Sequence, residues 1–172
     1  MNFTVNEITN SIAGKPSLSE CSIDELRQLT SQYPFFGPAQ FLFVKKLREE
    51  MGNRYLLSFA AGGFTGYIDQ SVDWKEVMPQ VDFVNLMTYD LVGGYSTVTG
   101  HHTPLADYRP GQQSVQKCVN QLLQKNIPAD KLIIGAAFYA RVWEQVADSN
   151  HGLYQTGKFK QGVSYKMFPQ YF

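Results

Sequence analysis

A chain of 172 residues, 44% of them apolar and 14% aromatic, can build one substantial core or two small ones. Its 15 basic and 15 acidic side chains cancel, which argues against nucleic acid and against docking on an anionic membrane surface, since both need a basic face. No stretch approaches the roughly 18 apolar residues of a spanning helix, and the opening residues mix Asn, Glu, Thr and Lys without the apolar centre of a signal peptide.

Three short helices are expected first. Thr4 to Ile12 is weakly periodic and is broken by Gly14-Lys15-Pro16-Ser17. Ser22-Ile23-Asp24-Glu25 has the form of a capping box, and Leu26 and Leu29 carry a helix to about Gln32. Tyr33-Pro34 ends it, because a residue before proline avoids helical backbone angles. Pro38 suits the first turn of a third helix, whose stripe Phe41, Phe43, Val44 and Leu47 runs to about Met51 before Gly52. Cys21 and Cys118 lie far apart without C-x-x-C spacing, so buried thiols are expected rather than a disulfide framework or a cysteine metal site.

The texture changes after Gly52. Tyr55 to Ala61, Val81 to Tyr89 and Lys131 to Tyr139 are apolar runs without polar alternation, the pattern of strands buried on both faces. Between them lie a short helix at Trp74 to Met78 and an amphipathic one at Ser114 to Lys125, built on Val115, Cys118, Val119, Leu122 and Leu123. The order β-α-β-α-β implies right-handed parallel units. A doubly wound sheet and part of a (β/α)8 barrel share this pattern. The small, polar and aromatic clusters that close each run favour the barrel, whose sites are built from strand C-terminal ends. From Trp143 onward glycines and scattered aromatics suggest an inserted element of short strands and turns.

Four segments then carry a resemblance. Tyr55-Leu56-Leu57-Ser58-Phe59-Ala60-Ala61-Gly62-Gly63 is similar to the fifth strand of glycoside hydrolase family 18 chitinases. Val81-Asp82-Phe83-Val84-Asn85-Leu86-Met87-Thr88-Tyr89-Asp90 resembles the sixth, and Gly100-His101-His102-Thr103-Pro104-Leu105 the loop after it. Lys131 to Arg141 resembles the seventh, with Ala137 where proline is common and Ala140 where glycine is common. The resemblance implies a partial (β/α)8 TIM-barrel segment of α/β class at residues 41–172, entering an α+β insertion and preceded by a small α-helical segment at 1–40. It also implies a retaining mechanism in which the substrate's own N-acetyl oxygen is the nucleophile. Tyr89 would hydrogen-bond that N-acetyl group, and Asp90 would be a supporting carboxylate. Met87, Ala61 and Gly62 would line the sugar site, with Tyr139 and Arg141 reaching sugar hydroxyls from the seventh strand. Met87 also reads as core, and Arg141 as a surface ion pair. The implied partner is chitin or a chitooligosaccharide. No cofactor is implied, and adjacent His101 and His102 point apart rather than forming a metal pair.

The family's acid lies in a D-x-x-D-x-D-x-E strand, where alternation sends the last Asp and the Glu to one face. None of Glu7, Glu20, Glu25, Glu49, Glu50, Glu76 and Glu144 has Asp two, four and seven residues before it. Asp69 and Asp73 before Glu76 have the wrong spacing and follow the fifth strand. An eighth-strand tryptophan is not expected among Trp74 and Trp143. A segment of this kind is expected either to bind or cleave β-1,4-linked N-acetylglucosamine polymers or to serve as an interaction protein. Its sheet edges are expected to be covered by the N-terminal helices or to pair between copies.

Overall fold

A computed structural model describes residues 3–171, so the extreme ends of the two expected segments, Met1, Asn2 and Phe172, lie outside the described residues. The chain divides into two compact units, Met1–Phe59 with Gln70–Phe83, and Ala60–Asp69 with Val84–Phe172. The boundary expected at residue 40 falls inside a helix of the first unit.

The first unit opens with α1 (Val5–Ala13), α2 (Ile23–Gln32) and α3 (Gly37–Met51). Their starts follow local chemistry. The Ser22 hydroxyl accepts the Glu25 N–H at 3.1 Å while the Glu25 carboxylate accepts the Ser22 N–H at 2.8 Å, which satisfies two of the four orphan donors of α2. Thr4 and Glu7 build the same box on α1, a second signature of that form in the chain. Gly14 ends α1 in the left-handed region that favours glycine, and Pro38 sits in the first turn of α3. Leu18, Cys21, Leu26 and Leu42 are buried together, with Val5, Ile8, Ile12 and Phe41 packed around them.

The far end of α3 fixes the approach to the sheet. Arg48 donates from Nε to the Gln80 carbonyl at 2.7 Å and from Nη1 to the Gly52 carbonyl at 2.6 Å, and its Nη2 meets Asp82 Oδ2 at 2.6 Å. The same Asp82 oxygen accepts the Leu57 N–H at 2.6 Å, and Asp82 N–H returns a bond to the Leu57 carbonyl at 2.8 Å. One guanidinium and one carboxylate thereby clamp the chain just before two strands. The short helix α5 (Trp74–Val77) packs on α3, with Trp74 buried against Phe59.

The second unit carries most of the parallel sheet, in the order β1 (Ser58–Gly62), β2 (Phe83–Met87), β3 (Leu132–Ile134). β2 pairs parallel with β3, Val84 opposite Leu132 and Leu86 opposite Ile134. The connection from β2 to β3 runs through α6 (Val115–Gln124), which buries Cys118 and Leu122 and is capped by Ser114. A helix not foreseen in the sequence, α4 (Thr65–Gln70), is held to the α6 region by Thr65, which bonds Gln113 and Gln121. Cys21 and Cys118 are buried free thiols.

The third apolar run does not stay one strand. β3 stops at Ile134, and the next strand, β4 (Tyr139–Glu144), belongs to a separate antiparallel pair with β5 (Lys158–Ser164). Tyr139 and Arg141, expected on the seventh barrel strand, therefore stand on the first strand of the inserted hairpin. The last bond of the parallel ladder is from the Gly135 N–H to the Leu86 carbonyl at 2.8 Å.

Replacing Arg48 with Ala removes its hydrogen bonds to Gln80 and Asp82, both partly buried, and the exposed ones to Gly52 and Tyr55, and the expected cost is ~2 kcal/mol or more, at the charged end of the usual range. Urea unfolding followed by circular dichroism checks it; a midpoint equal to wild type would show that the clamp contributes nothing.

Candidate functional site

β2 delivers the site. Its last residues are squeezed by backbone on two sides. A Cβ on Gly63 would lie 2.6 Å from Thr88 Cα and 2.7 Å from the Met87 carbonyl, and one on Gly135 would lie 2.9 Å from the Leu86 carbonyl and 3.2 Å from the Tyr89 ring. Only glycine permits these approaches. Thr88 is buried beneath, and Tyr89 and Asp90 emerge half-buried at the strand's C-terminal end.

Asp90 then leaves the strand in the left-handed region, with φ at 57°. For a residue with a Cβ this is unfavourable by about 1–2 kcal/mol, so the surroundings must hold it. They do so from every side. Its N–H donates to His102 Nδ1 at 3.0 Å, and its carbonyl accepts the Tyr95 hydroxyl. Tyr139 donates its hydroxyl to Asp90 Oδ2 at 2.6 Å. Arg141 donates from Nε to Oδ1 at 2.7 Å and pairs with the same oxygen through Nη2. Around the carboxylate the rings interlock: Tyr89 stands edge-on to Tyr139 at 6.0 Å, His102 lies 4.9 Å from Tyr139, and the Arg141 guanidinium sits 4.8 Å from the Tyr139 ring.

The hairpin aims Tyr139 and Arg141. Residues two apart on a strand share a face, so both reach one carboxylate. Arg141 lies opposite Gly162 across the pair, and a Cβ on Gly162 would come within 3.0 Å of the guanidinium. The loop after β2 is closed on itself by the Leu91 N–H to the His102 carbonyl, and is tied to the connection of the hairpin by Thr99 N–H to the Gln155 carbonyl and Gly157 N–H to the Thr97 carbonyl. Beside the cluster a cavity of about 340 Å³ is lined by His102, Arg141, Trp143, Thr99 and His151 among others.

Burial is the largest influence on the Asp90 carboxyl and pushes its pKa up, but the Tyr139 hydroxyl and the Arg141 guanidinium together outweigh it and leave the group below the usual carboxylate value. Burial raises Tyr139 and the hydrogen bond to Asp90 adds to it, so its hydroxyl titrates only at about 12. Burial lowers His102 below 6.5, against the pull of the Asp90 charge, and Arg141 reinforces the lowering. Near neutral pH the cluster is thus an ionised carboxylate, a protonated phenol, a guanidinium and a neutral imidazole. It presents hydrogen-bond donors and acceptors in fixed places, and none of these four groups is a carboxylic acid poised to give up a proton.

Of the residues singled out in the sequence, Tyr89, Asp90, Tyr139 and Arg141 come together. Arg141 does form an ion pair, with Asp90 rather than with the bulk surface. Met87 ends β2 half-buried. Ala61 has no exposed surface, and a Cβ on Gly62 would meet the Tyr67 ring at 2.9 Å, so both pack inward at this strand end. His102 and Tyr95 were not singled out as site residues. His101 lies tilted against the Tyr108 ring and edge-on to Tyr154, while His102 lies against Tyr139. The only signal for His102 was its position in the segment Gly100 to Leu105.

Parallel β-α units with a carboxylate presented at a strand's C-terminal end, followed by an antiparallel hairpin, define a segment of an α/β barrel. The chain belongs to the glycosyl hydrolases family 18, whose sequence model matches residues 33–171. It is 30% identical over 132 residues to chitinase A1 of Niallia circulans, covering 67% of this chain and 19% of that protein. It is 35% identical over 121 residues to chitinase C of Streptomyces lividans, covering 66% of this chain and 20% of that one. Among solved structures, the family 18 N-acetylglucosaminidase of Paenibacillus barengoltzii matches with a TM-score of 0.68 and 30% identity over 98% of this chain and 58% of that one. The chain spans about a fifth of the length of the two chitinases.

Removing the Tyr139 hydroxyl with Phe takes away one of the bonds that stabilise the Asp90 carboxylate, while its burial persists. The Asp90 pKa is expected to rise, and a carboxyl ¹³C titration reads the shift directly. An unchanged Asp90 titration would mean that the hydrogen bond at 2.6 Å has no electrostatic consequence.

Proposed function

We propose that this chain is a chitinase-like segment that binds β-1,4-linked N-acetylglucosamine oligomers at the Asp90 cluster and, as this chain, hydrolyses them at no more than a background rate. The observation that carries the reading is the Asp90 carboxylate, held ionised by Tyr139 and Arg141 with the Tyr89 ring beside it. An ionised carboxylate accepts amide and hydroxyl protons, the guanidinium donates to hydroxyl oxygens, and the aromatic faces suit the apolar faces of sugar rings. The names of the two chitinases and of the N-acetylglucosaminidase point to the same polymer.

Hydrolysis by the substrate-assisted route needs a protonated carboxylic acid near the leaving oxygen. No glutamate of this chain has the D-x-x-D-x-D-x-E spacing, and Asp90 is held on the acidic side of its ordinary range. Absence of a general acid lowers turnover by about 10²–10⁴-fold. Binding asks only for the donors and acceptors already in place.

A second reading concerns association and rests on its own observation. β3 is an outer strand of the parallel sheet, and its Ile133 and Ile134 are each 43% exposed. Pairing of two copies along that strand would cover both residues and its open backbone groups. Sedimentation at roughly ten micromolar is expected to show dimers or larger species; a sharp monomer overturns it.

Trp143 lines the cavity beside Arg141, so its fluorescence is the natural reporter of binding. Chitotriose is expected to shift the emission with saturation, and Asp90→Asn to weaken binding by roughly 10-fold or more, the loss of charged hydrogen bonds. A fluorogenic chitobioside is expected to be turned over at background rate. Saturable hydrolysis would overturn the assignment as a binder, and a flat titration with a folded protein would remove the sugar site altogether.

A further inference from the structure

From the Asp90–His102 geometry we infer that His102 is a positioning residue, which holds the sugar-binding carboxylate of Asp90 in place by accepting its backbone N–H and releases it when the imidazole is protonated. The inference rests on the proposed sugar site and adds a regulatory dependence to it.

Asp90 sits at φ 57°, and its N–H is satisfied by a side chain rather than by a strand partner. His102 Nδ1 accepts that proton at 3.0 Å. This bond fixes the tautomer: Nδ1 carries a lone pair, and the ring proton is on Nε2. Nε2 is buried without a hydrogen-bond partner among the described residues, so the ring gains nothing there. The bond to Asp90 is what orients it, together with the Tyr139 ring at 4.9 Å.

Protonation changes the sign of the contact. A hydrogen on Nδ1 would face the Asp90 N–H, two donors head to head at hydrogen-bond distance. The ring must then turn, and the Asp90 carboxylate offers it an acceptor, with Oδ1 3.5 Å from Nδ1. That oxygen is already shared by Arg141 Nε and Nη2. The groups facing His102 are thus Asp90 from the loop after β2 and Tyr139 and Arg141 from β4. Of these only Asp90 favours the charged ring, and Arg141 opposes it. A charged His102 therefore competes for the carboxylate and abandons the backbone, which removes one of the restraints on the left-handed turn.

The sign follows. His102 titrates below its ordinary value because burial disfavours the cation. The positioned state is present above that pKa and is lost as pH falls through it. Asp90 is likewise held below its ordinary value, by Tyr139 and Arg141 against burial. Asparagine at position 102 offers an amide oxygen close to where Nδ1 stands and cannot be protonated in this range.

The test measures chitotriose affinity by tryptophan fluorescence from about pH 7.5 down to about pH 4, a span that reaches well below histidine's ordinary value, as the lowered His102 requires. Wild type is expected to lose affinity by roughly 5-fold or more toward acid. His102→Asn is expected to match wild type at the upper pH and to stay flat, and His102→Ala to bind roughly 10-fold more weakly throughout, as loss of a buried acceptor implies. An Asn variant that follows the wild-type pH curve, or an Ala variant that binds like wild type, overturns the inference. The Asp90 amide ¹H–¹⁵N resonance supplies the readout that needs no sugar. In wild type it is expected to move with the His102 titration, and in His102→Asn to stay still over the same span. If chitotriose fails to bind wild type at any pH, the sugar reading falls, while a pH-independent Asp90 amide would overturn the role of His102 by itself.

Discussion

The left-handed turn at Asp90 is the constraint on which the second unit is organised. A parallel strand that simply continued would send its next side chain along the sheet. At φ 57° the chain instead folds back, and the carboxylate meets β4. The conformational penalty of about 1–2 kcal/mol is spread over a neutral imidazole, a phenol of the loop, a phenol of the hairpin and a guanidinium that reaches the carboxylate through two nitrogens. Strain of this kind persists only where neighbours over-determine it. The consequence is a carboxylate whose direction is set by the backbone rather than by a free rotamer.

That direction has an electrostatic counterpart. Catalytic pairs work when their environments push two titrating groups apart, one kept protonated and one ionised, near the working pH. The Asp90 cluster pushes all of its groups away from neutrality: the carboxyl down, the Tyr139 phenol up to about 12, and the His102 imidazole down. Such a site is well suited to hold a ligand by fixed donors and acceptors. A poised acid would have to come from elsewhere, and the chain's glutamates lack the spacing that would place one on the inner face of a strand.

Much of this was legible in the residues. The Ser22–Glu25 box, the extent of α3 and the amphipathic α6 were readable because helices are specified by contacts three and four residues away, although α3 buries Ala39, Leu42 and Lys46 rather than the stripe Phe41, Phe43, Val44 and Leu47. The glycine-closed runs were readable as strand ends for the same local reason. Three things were not. β3 is three residues long, yet the apolar run continues to Tyr139, since a strand that leaves one sheet for another keeps the same apolar character. The helix α4 is six residues long and too short to show a period. His102 reaches Asp90 across a loop of a dozen residues, and only closure of that loop by the Leu91 and Thr99 backbone bonds reveals the pairing. Local rules see neighbours in sequence, and these features depend on neighbours in space.

The hairpin shows how far the two kinds of information are joined. β4 and β5 pair with Arg141 opposite Gly162 and Tyr139 opposite Ser164. Period-two alternation means that a slip of β4 by one residue would turn both Tyr139 and Arg141 to the opposite face. Asp90 would then be left as a half-buried carboxylate with neither the Tyr139 phenol nor its guanidinium, and burial would raise its pKa against His102 alone. Gly162 adds a steric selection, since the guanidinium occupies the space that a side chain at that position would take. Register, the ion pair and the turn at Asp90 thus specify one another. The inserted hairpin accordingly belongs to the site as much as β2 does, because without its register the carboxylate at the strand end has no fixed charge partner.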